Sequence, residues 1–407
     1  MTNKNPLTKD KILKLLRKDI KLKLGSELIA LEKSLNRFLA KGLVSKLYLP
    51  PFNNSAVDGY ALLKSNLNNN SNILINNKRI VAGDKQNIYL KKNTVSRIFT
   101  GAKMPLNSKT VVMQENVKLF NNKLKINKLP KYGENCRLKG EDIKKGQKIL
   151  EKGEKIKVNN INLIAAIGKK KIIVNKKIKI GYYTSGNELQ KPTENLQGSE
   201  INNSNFYSLH ALLNQAYIKQ KFLGNLKDNK KLVISSLLKN TKKFDIIITT
   251  GGASVGEEDH LIDAVNQIGK VYFWKTAIKP GRPLAIGKID KTIIICLPGN
   301  PVSVHLLYGM LIKPLIEYIC SGKLNLPKST KVKVNFSMKK KNKRLEWLRV
   351  MVQKNKDELI VNKFPKQGSG MISSIAYSDG IIEIPEKVSF ISKGEYYSFY
   401  SYEDIFD

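Results

Sequence analysis

The chain has 407 residues, of which 72 are Lys or Arg and 33 are Asp or Glu, so its formal net charge is +39. Hydrophobic residues make up 41% and charged residues 26%, a globular composition that excludes a collagen-like, wholly disordered or coiled-coil chain. At about 150 residues per domain, this length predicts two to four domains.

The excess positive charge is spread along the chain. Only eight of the basic residues are Arg, and Lys also recurs in plain surface stretches such as residues 75–78. Nucleic-acid-binding proteins instead concentrate their charge on one stripe, with Arg for base edges and aromatic rings for stacking. The composition therefore favours a general Lys bias over a specific nucleic-acid partner, although the positive field still attracts anionic small molecules.

The cysteines and histidines lack the spacing of disulfide or metal motifs. Cys136, Cys296 and Cys320 are odd in number and far apart, which argues against a disulfide framework or a Cys-rich metal site. The three histidines form no H-E-x-x-H pair. The first residues lack the apolar core of a signal peptide, and no apolar run reaches 18 residues, so we expect a cytoplasmic protein that does not enter a membrane.

The first half of the chain predicts a helical region and a β-rich region. Apolar residues three to four apart predict an amphipathic helix over residues 8–41, before the loop at Pro50 and Pro51. From residue 51 to 142, short apolar runs alternate with Asn, Gly and Lys turns, which predicts a small β-rich domain. Its predicted strands are residues 73–75, 79–81, 95–99 and 110–113.

A second helix is predicted over residues 158–167, with Gly168 as its C-cap. The chain then has the pattern of an α/β domain. Three units run from an apolar strand through a loop to a helix, with strands near residues 178, 245 and 292 and helices near 203–216, 259 and 302. Apolar strands that alternate with helices predict a parallel sheet covered on both faces.

The last part of the chain, residues 327–407, returns to short alternating strands, which predicts a small β-barrel or sandwich. The predicted strands are residues 331–334, 345–352, 359–362, 381–384 and 396–402.

The loops after the α/β strands are the first candidates for a binding site, because ligands of open α/β sheets bind beyond the carboxyl ends of the strands. Residues 249–259 combine glycines with acids, and the helix that follows offers free N–H groups to a phosphate. These glycines are equally compatible with a simple turn, and Asp259 with a helix cap. Lys275, Lys279 and the rigid turn at residues 280–283 would hold a pyrophosphate, although single lysines carry little information in this chain.

Three carboxylates, Glu188, Asp228 and Asp259, also lie at or near the ends of predicted strands. Carboxylate and phosphate oxygens together form the usual environment of Mg²⁺. Each acid alone is more typical of a solvated side chain or a helix cap than of a metal ligand.

The same stretch supports an interpretation from another reaction class. Residues 252–256 match G-x-S-x-G, the nucleophile elbow of hydrolases, in the strand–turn–helix context which that motif requires. Ser254 would be the nucleophile, followed in order by Asp259 or Asp263 and then His305. His305 lies inside a predicted helix, which is more typical of a packed histidine.

Nine segments together resemble the molybdopterin molybdenumtransferase family, which includes MoeA and the E domain of gephyrin. They follow the family's order from about residue 50 to 376. The segments are residues 52–61, 97–102, 111–115, 137–142, 184–189, 250–259, 273–283, 297–303 and 367–374.

The resemblance implies a multidomain α/β plus β fold in four parts. These are a small helical and linker domain (1–50 and 143–177), an inserted β-rich domain (51–142), a doubly wound MogA-like α/β domain (178–326) and a C-terminal β-barrel (327–407). It further implies that roughly the first 26 residues pack on the α/β domain.

The implied reaction transfers molybdate to adenylylated molybdopterin and releases AMP with the help of Mg²⁺. The resemblance implies a homodimer, whose site lies between the α/β domain of one subunit and the Asp58 domain of the other, and a MogA-type adenylyltransferase as a partner. The implied catalytic residues are Asp58, Thr100, Glu188, Asp259, Lys275 and Lys279. The implied substrate-binding residues are Gly251, Gly252, Ser254, Gly256, Arg282, Pro298, Gly299, Asn300, Pro301, Ser369 and Ser373, and the metal ligands are Glu188, Asp228 and Asp259.

Several asparagines depart from the family pattern. Asn53, Asn187 and Asn229 stand where the family commonly has Asp, and Asn203 lies in a segment where the family usually has one. Asn keeps an oxygen acceptor but removes a negative charge. We therefore expect these changes to weaken metal binding more than they alter loop geometry. The alternatives within the family's fold are a molybdopterin adenylyltransferase and a non-catalytic cofactor carrier or scaffold.

Overall fold

The structure of the protein, a computed structural model, describes residues 6–68, 73–252, 260–355 and 358–406. Through residue 177 its elements are α1 (Lys9–Asp19), β1 (Ser26–Ala30), β2 (Leu43–Val44), β3 (Asn54–Ser55), β4 (Gly59–Leu62), β5 (Ile73–Ile80), β6 (Thr94–Ile98), β7 (Thr110–Met113), β8 (Val117–Phe120), β9 (Lys123–Ile126), β10 (Cys136–Arg137), β11 (Lys148–Leu150), α2 (Val158–Ala166) and β12 (Lys171–Asn175).

The α/β region that follows contains β13 (Ile178–Ser185), β14 (Leu189–Gln190), β15 (Ile201–Asn202), α3 (Ser204–Leu212), β16 (Ile218–Leu226), α4 (Lys230–Thr241), β17 (Ile246–Thr250), α5 (Leu261–Ile268), β18 (Lys270–Trp274), β19 (Ile278–Lys279), β20 (Ala285–Ile289), β21 (Thr292–Leu297), α6 (Pro301–Leu307) and α7 (Lys313–Ser321). The C-terminal part contains β22 (Thr330–Val334), β23 (Met338–Lys339), β24 (Leu345–Asn355), β25 (Glu358–Lys363), α8 (Ser373–Ala376), β26 (Gly380–Ile384), β27 (Phe390–Ile391), β28 (Tyr396–Ser401) and α9 (Tyr402–Phe406).

The N-terminal helix is much shorter than predicted. The predicted helix over residues 8–41 is wrong beyond Asp19, because β1 pairs antiparallel with β12 across the register Ser26 to Asn175. The helical spacing of the leucines continues past this point, but strand pairing uses the backbone of residues 26–30. Leu39 is consequently buried in a separate small core with Ile172, while α1 packs its apolar face into the core of the α/β region.

The β-rich region forms a six-stranded sheet in the order β7-β4-β6-β5-β9-β8. The predicted strands 73–75 and 79–81 are one strand, β5, which runs parallel to β6 with a register shift between Asn76 and Ile80. Successive residues of β4 point to opposite faces of the sheet, so Tyr60 and Ala61 belong to two different small cores.

The α/β region contains a second six-stranded sheet in the order β16-β13-β17-β21-β20-β18. The first four strands are parallel, and β20 and β18 extend one edge of the sheet antiparallel. Alternate residues of β17 enter different cores: Ile246 and Ile248 pack with α1 and α6, whereas Ile247 packs with α4 and α5. The prediction of apolar strands with both faces covered is therefore confirmed.

The C-terminal strands close into a five-stranded barrel. Strand β24 pairs with both β25 and β26, and β22 and β28 complete the ring. Strand β19, from the α/β region, adds to the barrel sheet in parallel to β24, with Lys279 opposite Glu346. This pairing brings the loop around Lys279 against the barrel.

One described helical run, Pro301–Ser321, is long and apolar enough to cross a membrane by length and composition. However, 78% of its most apolar window is buried inside the protein, so it packs as the core helix between the α/β sheet and the C-terminal elements.

Candidate active site

Three predicted loops meet at the carboxyl ends of β13, β17 and β21. The backbone N–H of Gly251 donates to the Leu297 carbonyl at 3.1 Å. Gly251 has φ +85°, and a Cβ atom there would lie 2.6 Å from the Ser185 carbonyl oxygen, so only glycine fits. A Cβ atom on Gly299 would lie 3.6 Å from the Gly251 Cα atom. Strand ends far apart in sequence therefore form one continuous surface.

A cavity of about 630 Å³ lies between the α/β region and the barrel, which we name the interdomain cavity. Its described lining comes from residues 279–303 and 338–369. Five of the predicted site residues line it: Lys279, Arg282, Pro298, Asn300 and Ser369. The loop that carries Ser369 reaches the cavity because the Val302 N–H, at the start of α6, donates to the Ser369 carbonyl at 3.2 Å.

Sequence reasoning missed the barrel side of the interdomain cavity. The additional polar lining residues are Lys339, Lys341, Arg344, Glu346, Lys363 and Gln367. Residues 339–344 form a visible run of basic side chains, but such a run carries little information in a chain with so much Lys.

A buried arginine holds the loop that closes the cavity. Arg349 donates from Nε to the Ser374 hydroxyl and from Nη2 to the Gly368 carbonyl, both at 3.2 Å. Gln367 bonds both the N–H and the carbonyl of Arg349. Burial lowers the pKa of Arg349 to about 10, so the guanidinium stays protonated at neutral pH. Ser373 begins α8 beside this cluster and is not among the described lining residues of the cavity.

The two predicted lysines have different surroundings. The Lys279 ammonium lies 2.7 Å from Glu346 Oε1 at the interdomain cavity. The Lys275 ammonium instead lies 4.2 Å above the Trp274 ring centroid, and Lys275 has φ +80°, which is unusual for a residue with a side chain. Of these two lysines, only Lys279 is among the described lining residues of the cavity.

Two of the three predicted metal ligands can be placed. Glu188 is exposed after β13, and the partly buried Asp228 follows β16. Within the described residues neither carboxylate accepts a hydrogen bond or an ion pair, so both are available to a hard cation. Such an ion would take its remaining oxygens from substrate phosphate and water, since no group of three His, Cys, Asp or Glu side chains occurs in the described part of the chain.

Three site predictions fall outside the described residues: Ser254, Gly256 and Asp259. The G-x-S-x-G alternative can therefore be judged only at Asp263, which is exposed in the first turn of α5, and at His305. Its Nδ1 lies 3.1 Å from the Pro301 carbonyl of its own helix, and its ring packs against Phe406. Burial lowers the pKa of His305, and these contacts are those of a packed histidine.

Three of the asparagines that depart from the family pattern accept backbone N–H groups with their side-chain amide oxygens. Asn203 and Asn229 cap α3 and α4 by accepting the Phe206 and Leu232 N–H groups, each at 3.1 Å. Asn53 Oδ1 accepts the N–H of Lys139 at 2.8 Å. A neutral amide oxygen performs these roles as well as a carboxylate, so the loops keep their shape.

Asn203 also makes a contact that Asp would not make. Its Nδ2 donates to the Thr184 hydroxyl at 2.9 Å, and that hydroxyl donates to Asn225 Oδ1 at 3.1 Å. Asn225 then donates to the Gly186 carbonyl at 2.8 Å. This chain of amides and hydroxyls ties α3 to the loop that precedes Glu188. Asn187, the fourth departure, is exposed.

Among the buried polar atoms without a hydrogen-bond partner in the described part of the protein, two lie next to the predicted loops. These are the hydroxyl of Thr250, the last residue of β17, and Asn205 Oδ1, and the neighbouring Thr249 hydroxyl is likewise unpartnered. Asn205 Nδ2 donates to the Gly299 carbonyl at 2.6 Å, so its oxygen lies close to the predicted loop. An unsatisfied buried polar group costs about 1–3 kcal/mol, which is recovered when a ligand or water fills the contact. Sequence reasoning did not assign either atom to the site.

Asp58 and Thr100 form a second site on the β-rich sheet. The Thr100 N–H and hydroxyl both donate to Asp58 Oδ1, at 2.8 and 2.7 Å. The Thr100 N–H, together with its hydroxyl and the nearby Arg97 charge, lowers the pKa of Asp58. Asp58 is thus held ionised and partly open to solvent. No residue of the β-rich region is among the described lining residues of the interdomain cavity.

Comparison with known proteins identifies the family. Three family models match in order: the MoeA N-terminal region (domains I and II) over residues 7–168, a probable molybdopterin binding domain over 181–318, and the MoeA C-terminal region (domain IV) over 331–401. The chain belongs to the MoeA family. This membership makes it a transferase of molybdenum cofactor biosynthesis, with molybdopterin and molybdate as its substrates.

Individual relatives agree with the MoeA assignment. A molybdopterin molybdenumtransferase of Haemophilus influenzae is 32% identical over 378 residues, which cover 91% of this chain and 92% of that protein. One of Staphylococcus epidermidis is 29% identical, over 88% of this chain and 86% of that protein. The crystal structure of a MoeA protein from Pyrococcus horikoshii has a TM-score of 0.82 and 27% identity, and the match covers 98% of this chain and 99% of that chain.

Proposed function

We propose that this MoeA-family chain transfers molybdate to adenylylated molybdopterin and releases AMP. The observation that carries the proposal is the charge of the interdomain cavity, which opens beside the loop that follows β21. Its described lining has six cationic side chains and one acid. Both substrates are anions, and Arg and Lys side chains are the usual partners of phosphate and other oxyanions.

The proposed reaction combines hydrolysis of an anhydride with ligand exchange at molybdenum. A P–O bond of the anhydride that joins AMP to molybdopterin is cleaved, with water supplying the new oxygen, so that AMP and molybdopterin phosphate separate. Two Mo–S bonds form to the dithiol of molybdopterin, and one oxide of molybdate leaves as water with the two thiol protons. The sulfurs come from the substrate, so the scattered cysteines have no role in the chemistry.

The chain's residues would position these anions. Lys279 and Arg282 would bind an oxyanion in the cavity, and the N–H of Gly252 would approach the phosphates. Asn205 Oδ1 and the Thr250 hydroxyl would meet polar groups of the substrate. Glu188 and Asp228 would hold Mg²⁺, which when bound neutralises phosphate charge and polarises the P–O bond.

Asp58 would complete the site from a second copy of the chain. Its ionised carboxylate suits a general base or a group that orients water. Leu28 and Ile173 support a dimer, because they face each other across β1 and β12 with 62% and 37% of their surfaces exposed. This apolar pair would suit a contact between two copies of the chain. A MogA-type adenylyltransferase would supply the adenylylated substrate in the cytoplasm.

The deciding experiment is single-turnover AMP release from adenylylated molybdopterin, with and without molybdate and Mg²⁺. Release that requires molybdate and yields active molybdenum cofactor supports the proposal. Tight substrate binding without release would overturn it in favour of a carrier or scaffold. Formation of adenylylated molybdopterin from ATP would favour an adenylyltransferase.

A further inference from the structure

The interdomain cavity contains one acid among many cations. Its described cationic lining residues are Lys279, Arg282, Lys339, Lys341, Arg344 and Lys363, and its one acid is Glu346. A site that only had to bind anions tightly would gain nothing from a carboxylate in its wall, because the carboxylate repels every anion that enters. The presence of Glu346 therefore needs a reason.

The backbone itself sets the position of Glu346. Strands β19 and β24 pair in parallel with Lys279 directly opposite Glu346, so the two side chains leave the sheet as neighbours. Glu346 Oε1 lies 2.7 Å from the Lys279 ammonium, with the two side chains 5% and 37% exposed respectively. The buried partner is thus the acid, and the ammonium keeps an open side toward the cavity.

The second oxygen of Glu346 is also engaged. Asn342 Nδ2 donates to Oε2 at 3.2 Å, and Asn342 Oδ1 accepts the N–H of Arg344 at 3.0 Å. Arg344 then donates from Nη1 to the Ile278 carbonyl at 3.3 Å. Glu346 thereby joins the basic turn of the barrel to strand β19. A buried carboxylate requires such partners, and the loss of one leaves an uncompensated charge.

We propose that Glu346 is a positioning residue that holds the Lys279 ammonium at the cavity wall and weakens the affinity of the cavity for anions. The inference rests on the proposed function, in which oxyanions and phosphates bind at this wall. An entering anion shares Lys279 with Glu346 and is repelled by the carboxylate. Binding therefore stays weak enough for AMP and excess molybdate to leave between turnovers.

The electrostatic role makes a quantitative prediction. Removal of one negative charge changes the potential in the cavity by a fixed amount, so the binding free energy of a dianion changes by twice that of a monoanion. Molybdate and perrhenate are tetrahedral oxyanions with two charges and one charge. A purely structural role would disturb Lys279 and weaken the binding of both ions.

The test measures the dissociation constants of molybdate and perrhenate for the full chain by isothermal titration calorimetry, with wild type and Glu346→Gln. We expect molybdate to bind about tenfold more tightly to Glu346→Gln and perrhenate about threefold more tightly. In turnover, the KM for molybdate should fall while kcat falls or stays constant. Weaker binding of both ions, or equal changes for the two, would overturn the inference.

Two further variants separate charge from folding. Glu346→Asp keeps the charge, so the affinity for molybdate should remain within about twofold of the wild-type value. Glu383→Gln is a matched control, because Glu383 forms a comparable ion pair with Lys9 at 2.6 Å on the neighbouring strand β26, outside the cavity lining. It should leave both dissociation constants unchanged, and an equal tightening there would overturn the inference.

The outcome for wild type separates this inference from the proposed function. If wild type binds neither oxyanion, or if Lys279→Gln leaves molybdate binding intact, the cavity is not the anion site and the placement in the proposed function fails with it. If wild type binds molybdate through Lys279 and Glu346→Gln does not tighten it, only the role of Glu346 fails.

Discussion

The interdomain cavity and the Asp58–Thr100 site contrast in charge, construction and exposure. The cavity gathers cations from two folded parts of the chain around one buried acid. The Asp58 site is an acid on one sheet, held by the N–H and hydroxyl of Thr100 and open to solvent. Under the proposed function the cavity would bind the anions and Asp58 would act as the base, so each would supply half of one site.

In one subunit, no residue of the β-rich region is among the described lining residues of the interdomain cavity. Under the proposed function, a second copy of the chain would therefore bring Asp58 to the anion site.

The largest effect should come from Lys279→Gln. Loss of a charge-assisted contact that develops with the transition state should lower kcat/KM for AMP release by about 100- to 1,000-fold. Single-turnover kinetics measure this change. Lys291→Gln, at the exposed turn between β20 and β21, is the control and should remain fully active. Normal turnover by Lys279→Gln would show that the cavity does not take part in AMP release.

Asp58→Asn should lower the rate of AMP release by about 100-fold with substrate affinity retained, because the base is lost and the anion site is untouched. Rate and binding measurements on the same preparation separate the two effects. Asp84→Asn alters another acid of the same region, which accepts the Val81 N–H in a turn, and should leave the rate unchanged. A variant at Asp58 that binds poorly but turns over normally would contradict this role.

Mixing the two inactive variants tests whether the halves belong to different subunits. If Asp58 acts across the dimer, subunit exchange between Asp58→Asn and Lys279→Gln creates one intact site per mixed dimer. About a quarter of the wild-type activity should return, since half of the dimers are mixed and each has one site of two. Activity that stays at the level of the separate variants would place both residues in one chain's own site.

The smallest effect should come from Thr100→Val. The Thr100 N–H, which contributes most to the lowered pKa of Asp58, remains, and only the hydroxyl is lost. The pKa of Asp58 should therefore rise part of the way to its ordinary value. Because a base works only when ionised, the acid limb of the kcat/KM profile should move to higher pH, whereas the rate at neutral pH, where Asp58 stays ionised, should change little. If the acid limb does not move, the Thr100 hydroxyl does not set the pKa that controls the reaction.

The periodic parts of the chain were predictable because their signals are local. Apolar alternation located the barrel strands, such as residues 381–384, and the strand–loop–helix units located the α/β sheet. The helix over residues 8–41 was wrong because its leucines satisfy a helical period, while distant residues 171–175 offer a strand partner that no local pattern reveals. The strand ends were predicted to share one surface, and the contact between Gly251 and Gly299 follows from that parallel order.

By itself the sequence determined the order of the elements, the parallel core of the α/β sheet and the nine segments that point to the MoeA family. Only the tertiary structure decided which lysines line the cavity, that Glu346 pairs with Lys279, and that Arg349 holds the closing loop. The reason is physical: propensity and periodicity act over a few residues, whereas the partners of Lys279 lie on a strand that joins β19 through long-range pairing. In a chain so rich in Lys, burial and the partner across the sheet distinguish one ammonium from another.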